Sequence, residues 1–331
     1  MNKLLEKKNP AKHIKSFGFL ALLLLLPVIF TAVDFTYGIT ISCFVAIYVI
    51  AVSGIDIVFG YCGQISMGHA AFYAVGAYGS ALLSSKLNIP IIISMFIAPV
   101  IAAILGALLA YPASKLVFHF LSLATIAFGE ITYQLILQSP GGITGNAVGL
   151  ATKKVNLFGF AFNTSFRFYY LALAFVLLLL AAKTNLVSSR VGRAFVAIRE
   201  NTHAAEGMGV NARKYKVIAF ATSAFFTAVA GSMYAHFVGY ISPDTFTNKQ
   251  SVLFITMLLF GGTASKPGPI IGAIAVLLLN EALRSMENMQ MLVYGFLLLI
   301  VILLLPGGIF GMIKDLFYKY THRGGKENAK S

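Results

Sequence analysis

Glu130 is the one acidic side chain in the apolar run LATIAFGEITYQLIL. A charge at the centre of a membrane-length helix costs about 2.5–3.5 kcal/mol on insertion scales, so such a residue faces a bundle interior or water. Thr125, Thr132, Tyr133 and Gln134 are polar neighbours along the chain. Two chemistries fit it. It can make a hydrogen bond between helices, or it can offer its carboxylate to the ammonium group of a zwitterion. A second concentration of polarity lies at Arg190, Arg193, Arg199, Glu200, His203, Glu206, Arg213, Lys214 and Lys216. His69, His119 and His236 are single and dispersed, which suits helix packing better than a ligand set or a proton relay. Cys43 and Cys62 fall in or beside apolar runs, and two thiols alone make a poor metal site. No Gly-x-x-x-x-Gly-Lys-Ser/Thr phosphate loop occurs, so this chain is expected neither to bind nor to hydrolyse ATP. There is no His-x-x-x-His pair and no nucleophile elbow.

The elements that must position these residues are apolar. Of 331 residues, 58% are hydrophobic and 11% charged, with mean hydropathy +0.84. A soluble domain is about 45–50% apolar and about 25% charged. The chain therefore reads as an all-α polytopic membrane protein. Apolar runs lie near 17–33, 38–59, 66–85, 90–110, 116–137, 168–183, 214–237, 249–262, 267–286 and 291–305. A crossing helix needs about 20 residues, and most runs qualify, predicting about ten transmembrane helices. The run 249–262 is short and 66–85 is rich in glycine. Such interrupted segments are where broken helices line pathways.

The formal net charge of +14 is not spread evenly. Lys3, Lys7, Lys8, Lys12 and Lys15 precede the first run, Arg190 to Lys216 fill the centre, and Lys314, Lys319, Arg323, Lys326 and Lys330 follow the last run. That is a positive-inside pattern with anionic lipid headgroups as the counter-charge, and it argues against nucleic acid. Ten crossings with both termini cytoplasmic place all three clusters inside, with Lys115, Lys183 and Lys266 at inner helix ends. The layout is a basic tail over 1–16, a transmembrane domain over 17–311 with a cytoplasmic loop over 188–214, and a basic tail over 312–331. The lysine-rich start resembles a signal peptide, but Thr31-Ala32-Val33 is a poor cleavage site, so a retained first helix is expected.

Within the central loop, Thr202 can cap a short helix from Thr202 to Gly207, Gly207 and Gly209 can end it, and Asn211 can cap the next span. Residues 60–79 read GYCGQISMGHAAFYAVGAYG. Their glycines and alanines make small faces on which helix backbones approach closely. Pro140, Gly141, Gly142, Gly145 and Gly149 mark a long loop between 138 and 167. Ser242-Pro243 predicts a short helix after the seventh run.

Four stretches carry a resemblance. Ala197-Ile198-Arg199-Glu200-Asn201, then Ala204-Ala205-Glu206-Gly207-Met208-Gly209-Val210, is similar to the coupling loop of ABC-importer permeases, closest to the LivM-like branched-chain amino-acid branch. Gly63, Ser66, Gly68, His69, Phe72, Gly76 and Tyr78 match that family's G-x-x-S-x-G-H-A-A-F-x-x-x-G-A-Y motif. Gly261-Gly262 with Gly268-Pro269, and Pro306-Gly307-Gly308, also match. Asp56 departs from the family's usual Asn. It reads either as an isolated acid at a helix end or as the partner of a basic residue.

The resemblance implies an ABC importer permease fold in a bacterial plasma or inner membrane. The partners would be two ABC ATPase subunits, a homologous second permease and an extracytoplasmic substrate-binding protein. ATP and Mg would be bound by the ATPases, not by this chain. Arg199, Glu200, Asn201, Ala204, Ala205, Glu206, Gly207 and Gly209 would form the ATPase-coupling loop. Gly63, Ser66, Gly68, His69, Phe72 and Glu130 would be candidates for the translocation pathway. The substrate class would be branched-chain amino acids, carried by alternating access. Urea, amide or sugar permeases share the scaffold, and a proton-coupled secondary transporter using Glu130 is the alternative of another class.

Overall fold

The computed structural model describes residues 22–113, 118–157 and 160–284, with short stretches at 292–293, 295–296, 299 and 307–312. Lys115, both basic tails apart from Met312, and most of the run 291–305 lie outside the described residues. The described chain is helical: α1 Leu22–Ala32, α2 Thr36–Ile55, α3 His69–Ser85, α4 Ile91–Ala113, α5 Phe118–Gln138, α6 Ser165–Ser188, α7 Arg190–Glu200, α8 Thr202–Gly207, α9 Ala212–Val238, α10 Asn248–Gly261 and α11 Gly268–Ala282. Five segments are long and apolar enough to cross a membrane: α2 with the turn that extends it to Tyr61, then α4, α5, α6 and α9. At 14 residues, α10 spans about 21 Å at 1.5 Å per residue, well short of a hydrocarbon core of about 30 Å. The glycine-rich run 66–85 is not interrupted: it forms one continuous helix from His69 to Ser85, and the irregular backbone lies just before it. α2 ends in a wide π-type turn, Asp56–Tyr61, and α3 begins only at His69.

α9 is the centre of the bundle, and α2, α3 and α4 all lie against it. Inside a membrane, apolar side chains gain little from burying each other. Close backbone approach over small residues carries the packing instead. On α9, Ala219, Ser223, Ala224, Thr227, Ala228, Ala230, Gly231, Ser232 and Ala235 are buried. Gly76 of α3 meets the Ala228 backbone so closely that a Cβ would strike its carbonyl. Gly231 does the same against the carbonyl of Tyr73, and Ser232 Oγ donates to Gly76 O at 2.9 Å. Gly76→Ala is therefore expected to lower the thermal midpoint of the detergent-solubilised chain, by an amount of order 1–3 kcal/mol for overpacking. Gly207→Ala, whose Cβ would meet nothing within 4 Å, is the matched control and should leave the midpoint unchanged. Equal midpoints for the two variants would contradict this packing.

One face of the bundle is tied together by loops. Leu150–Ala151 (β1) pairs antiparallel with Tyr240–Ile241 (β2), which joins the long 139–164 connection to the segment after α9. Thr152 N donates to Gly239 O at 2.9 Å, and Lys153 Nζ reaches Ser84 O and Asn88 Oδ1 at 3.2 and 3.1 Å. The helix expected after Ser242 is a short 3-10 turn, Pro243–Phe246. Pro243 opens it as anticipated, but Ser242 makes no side-chain capping bond.

Candidate functional site

The opposite face carries the basic loop. Ser189 accepts from Val191 N and starts α7, which buries Gly192, Ala194, Phe195 and Ile198 and leaves Arg190 and Arg193 exposed. The chain then breaks at Asn201, where the backbone is extended (φ −159, ψ 110), and α8 begins. The cap of α8 is Asn201 rather than Thr202. Asn201 Oδ1 accepts from Ala204 N at 3.0 Å, while the Thr202 hydroxyl donates back to Ile198 O. Either residue type caps well, and the one in the extended conformation takes the role.

α8 ends in a Schellman motif. Val210 N donates to Ala205 O at 3.0 Å and Gly209 N to Glu206 O at 2.9 Å. Gly209 has φ +84, the left-handed conformation that favours glycine. Asn211 Oδ1 accepts from Lys214 N and starts α9, as anticipated. Ala205 alone of α8 is buried. Ala204, Glu206, Gly207, Met208 and Gly209 are exposed, as are Glu200 and Asn201. Met208 is 87% exposed, the most exposed large apolar side chain among the described residues, and its residue type gave no reason to single it out. The result is a short, rigidly capped knob with small residues and one flexible apolar side chain at its tip.

Arg199 is exposed, yet one end of its side chain is held by the bundle. Its Nη1 donates to Gly60 O at 2.6 Å, and its stem lies against Gly63, whose φ is +68. Just beyond Gly60, Asp56 forms an ion pair with Lys183 of α6: Lys183 Nζ donates to Asp56 Oδ2 at 2.7 Å, with side chains 4% and 0% exposed. Asp56 Oδ1 accepts from Ala264 N at 2.7 Å. Of the two sequence readings of Asp56, the paired one holds. Lys183 was placed at a helix end by its charge, but its partner lies 127 residues away and no local pattern announces it.

The other motif residues are held inside the chain. Ser66, Gly68, His69 and Phe72 are buried. His69 Nε2 pairs with Ser223 Oγ at 2.7 Å, and Thr125 Oγ1 accepts from Met67 N at 3.1 Å. Glu130 is exposed on α5. Gln134 Nε2 donates to its Oε1 at 3.0 Å, and Asn248 Nδ2 of α10 stands at 3.5 Å from its Oε2. Of the anticipated neighbours only Gln134 bonds to it. Thr132 donates to Phe128 O, and Tyr133 faces Asp244 Oδ1 at 3.5 Å. Asn248 and Asp244 were not singled out from sequence. Phe120, Leu123, Ile131 and Leu135 are exposed on the same helix. A face that mixes these with an acid is costly against lipid and suits a protein or water-lined neighbour.

A helical bundle with several membrane-length helices, a small capped knob at one face and a carboxylate on one of those helices has the make-up of a membrane transport subunit. Comparison places it more closely. The family described as branched-chain amino acid transport system, permease component, matches residues 38–302, and the chain belongs to that family. It is 30% identical over 325 residues to the high-affinity branched-chain amino acid transport permease LivM of Escherichia coli K12, covering 91% of this chain and 76% of that one. It is 25% identical over 283 residues to the LivH permease of the same organism, covering 80% and 91%. A probable LivM of Methanocaldococcus jannaschii is 23% identical over 254 residues, covering 72% and 73%. No solved structure matches. The chain is thus a transmembrane permease subunit of an ATP-driven importer for branched-chain amino acids.

Proposed function

We propose that α8 is the surface on which partner ATPases act, and that the spans respond by alternating access. The observation that carries this is the knob itself: a capped helix of about 9 Å (1.5 Å per residue) with exposed small residues, held to the bundle by Ala205. It is long enough to fill a groove on a partner and too short to be a domain. One of two ATPase subunits binds there, the other docking on the second permease, with ATP and Mg on the ATPase side. Glu200, Ala204, Glu206, Gly207 and Gly209 supply the contact with Met208, and Asn201 holds the helix start. A homologous second permease covers the α5 face, so that Glu130 lines the pathway between the two. A substrate-binding protein delivers the amino acid to the face formed by β1, β2 and the 139–164 connection. The orientation has both termini cytoplasmic and ten crossings in a bacterial plasma or inner membrane.

The test is uptake of radiolabelled leucine into vesicles holding the assembled complex, with ATP supplied on the side of α8. Uptake that requires ATP and is unchanged when the pH gradient is collapsed is expected. Uptake driven by a pH gradient in ATP-depleted vesicles would replace this reading with a proton-coupled one through Glu130.

A further inference from the structure

The wide turn Asp56–Tyr61 is the place where the basic loop enters the membrane domain. In a continuing α-helix the Gln64 N–H would reach the Gly60 carbonyl. It donates instead to Val58 O at 2.9 Å, and Cys62 N donates to Ile57 O at 3.1 Å. The π-type widening therefore leaves the Gly60 carbonyl to another donor, and Arg199 supplies it from the end of α7 at 2.6 Å. Only glycine fits at position 60, because a Cβ would collide with Asp56 Oδ1 and Ala264 N. The same turn is held on its other side by Asp56, through Lys183 of α6 and the backbone N–H of Ala264 between α10 and α11. Three segments remote in sequence thus grip one helical turn. Single-turn π widenings occur often at functional positions.

The segment after the turn leads onward. Residues 62–68 run from the Arg199 contact to Met67, whose N–H is held by Thr125 of α5, and a Cβ at Gly68 would strike the Thr125 backbone. Thr125 lies little more than one helical turn before Glu130 on the same helix. Arg199 itself precedes the Asn201 cap of α8 by two residues. A displacement of α8 therefore reaches α5 through Arg199, the Gly60 carbonyl and a short buried segment.

We propose that Arg199 is a positioning residue that transmits movement of the docking helix to the pathway-lining helix α5, with the Asp56–Tyr61 turn as the two-state element. Gripped by Arg199, the turn stays wide. Released, the Gly60 carbonyl takes back the Gln64 N–H and the turn tightens to α geometry, which shifts the 62–68 segment against α5. Asp56, paired with Lys183 and Ala264, anchors the fixed end of the turn. This inference rests on the reading of α8 as the ATPase dock. It gives Arg199 a role distinct from docking, because its guanidinium, on an exposed side chain, bonds to the Gly60 carbonyl.

The experiment uses the full complex in proteoliposomes and compares wild type, Arg199→Ala, Arg199→Lys and Glu206→Lys. Co-purified ATPase, ATP turnover and leucine imported per ATP are measured for each. Arg199→Ala is expected to keep its ATPases and to hydrolyse ATP, while leucine per ATP falls about tenfold, the factor that corresponds to about 1.4 kcal/mol of lost coupling. Arg199→Lys should recover part of that ratio, since an ammonium can also donate to the Gly60 carbonyl. Wild-type leucine per ATP in Arg199→Ala would overturn the proposal, and if Glu206→Lys is uncoupled in the same series the docking reading survives it. Loss of the ATPases from Arg199→Ala would overturn it too, by making Arg199 a docking contact. A fully normal Glu206→Lys beside an uncoupled Arg199→Ala would reject the knob as the dock and, with it, transmission from α8.

Discussion

Lys183→Met is expected to destabilise the membrane domain more than any other single change considered. Asp56 is fully buried and Lys183 nearly so, at 0% and 4% side-chain exposure. Removing the lysine leaves a buried carboxylate without its paired ammonium, with only the Arg199 guanidinium acting on it from a greater distance, and breaking a buried pair typically costs about 3–5 kcal/mol. The remaining bond from Ala264 N to Asp56 Oδ1 does not supply a charge. The double variant Asp56→Asn/Lys183→Met should regain most of the loss, because replacing a buried pair by neutral residues of similar volume is often near neutral. An Asn at 56 also retains an acceptor for the Ala264 N–H, and Asn is what the family resemblance leads one to expect there. Thermal midpoints and monodisperse yield of the purified complex report both variants. A Lys183→Met midpoint equal to wild type would show that the pair is not buried in the assembled protein.

Gly209→Val and Glu206→Lys are expected to leave the spans folded and to break the link to the ATPases. Gly209 has φ +84, and a β-branched residue there costs about 1–2 kcal/mol of backbone strain. No atom lies within 4 Å of the Cβ it would add, so the effect is conformational and confined to the end of α8. The Schellman bonds from Gly209 and Val210 would loosen, and with them the orientation of Met208. Glu206 is exposed, and surface substitutions of this kind usually change stability by no more than about 0.5 kcal/mol. A few residues dominate most interfaces, and a loss of about 2 kcal/mol at one of them weakens binding roughly thirtyfold.

Local features were legible in the sequence where a local rule governs them. The Thr202–Gly207 helix, the Asn211 cap and the left-handed glycine at 209 follow from capping chemistry within a few residues. The shortness of α10 follows from the length of its apolar run, whereas the glycines of 66–85 suggested an interruption that α3 does not contain, because they serve close helix packing instead. The cap of α8 moved by one residue because Asn201 and Thr202 are both good caps and only the backbone path chooses between them. What stayed hidden is non-local. Asp56 and Lys183 were visible as charges, yet nothing in their spacing joins them. Asn248 approaches Glu130 from a different helix. The π-type turn has no composition signal, so Gly60 and Gly63 read as packing residues and Arg199 as a coupling-loop residue. The bond from exposed Arg199 to the Gly60 carbonyl joins residues 139 apart, and no local pattern announces it.

Leucine imported per ATP hydrolysed tests the account most directly, measured in proteoliposomes that contain the permease pair, both ATPases and the binding protein. With Gly209→Val or Glu206→Lys in this chain, the account predicts a normally folded permease whose ratio falls about tenfold or more, the equivalent of at least about 1.4 kcal/mol of coupling, or whose ATPases dissociate. Wild-type ratios with fully bound ATPases in both variants would contradict it and leave residues 190–216 as a connection that only sets topology.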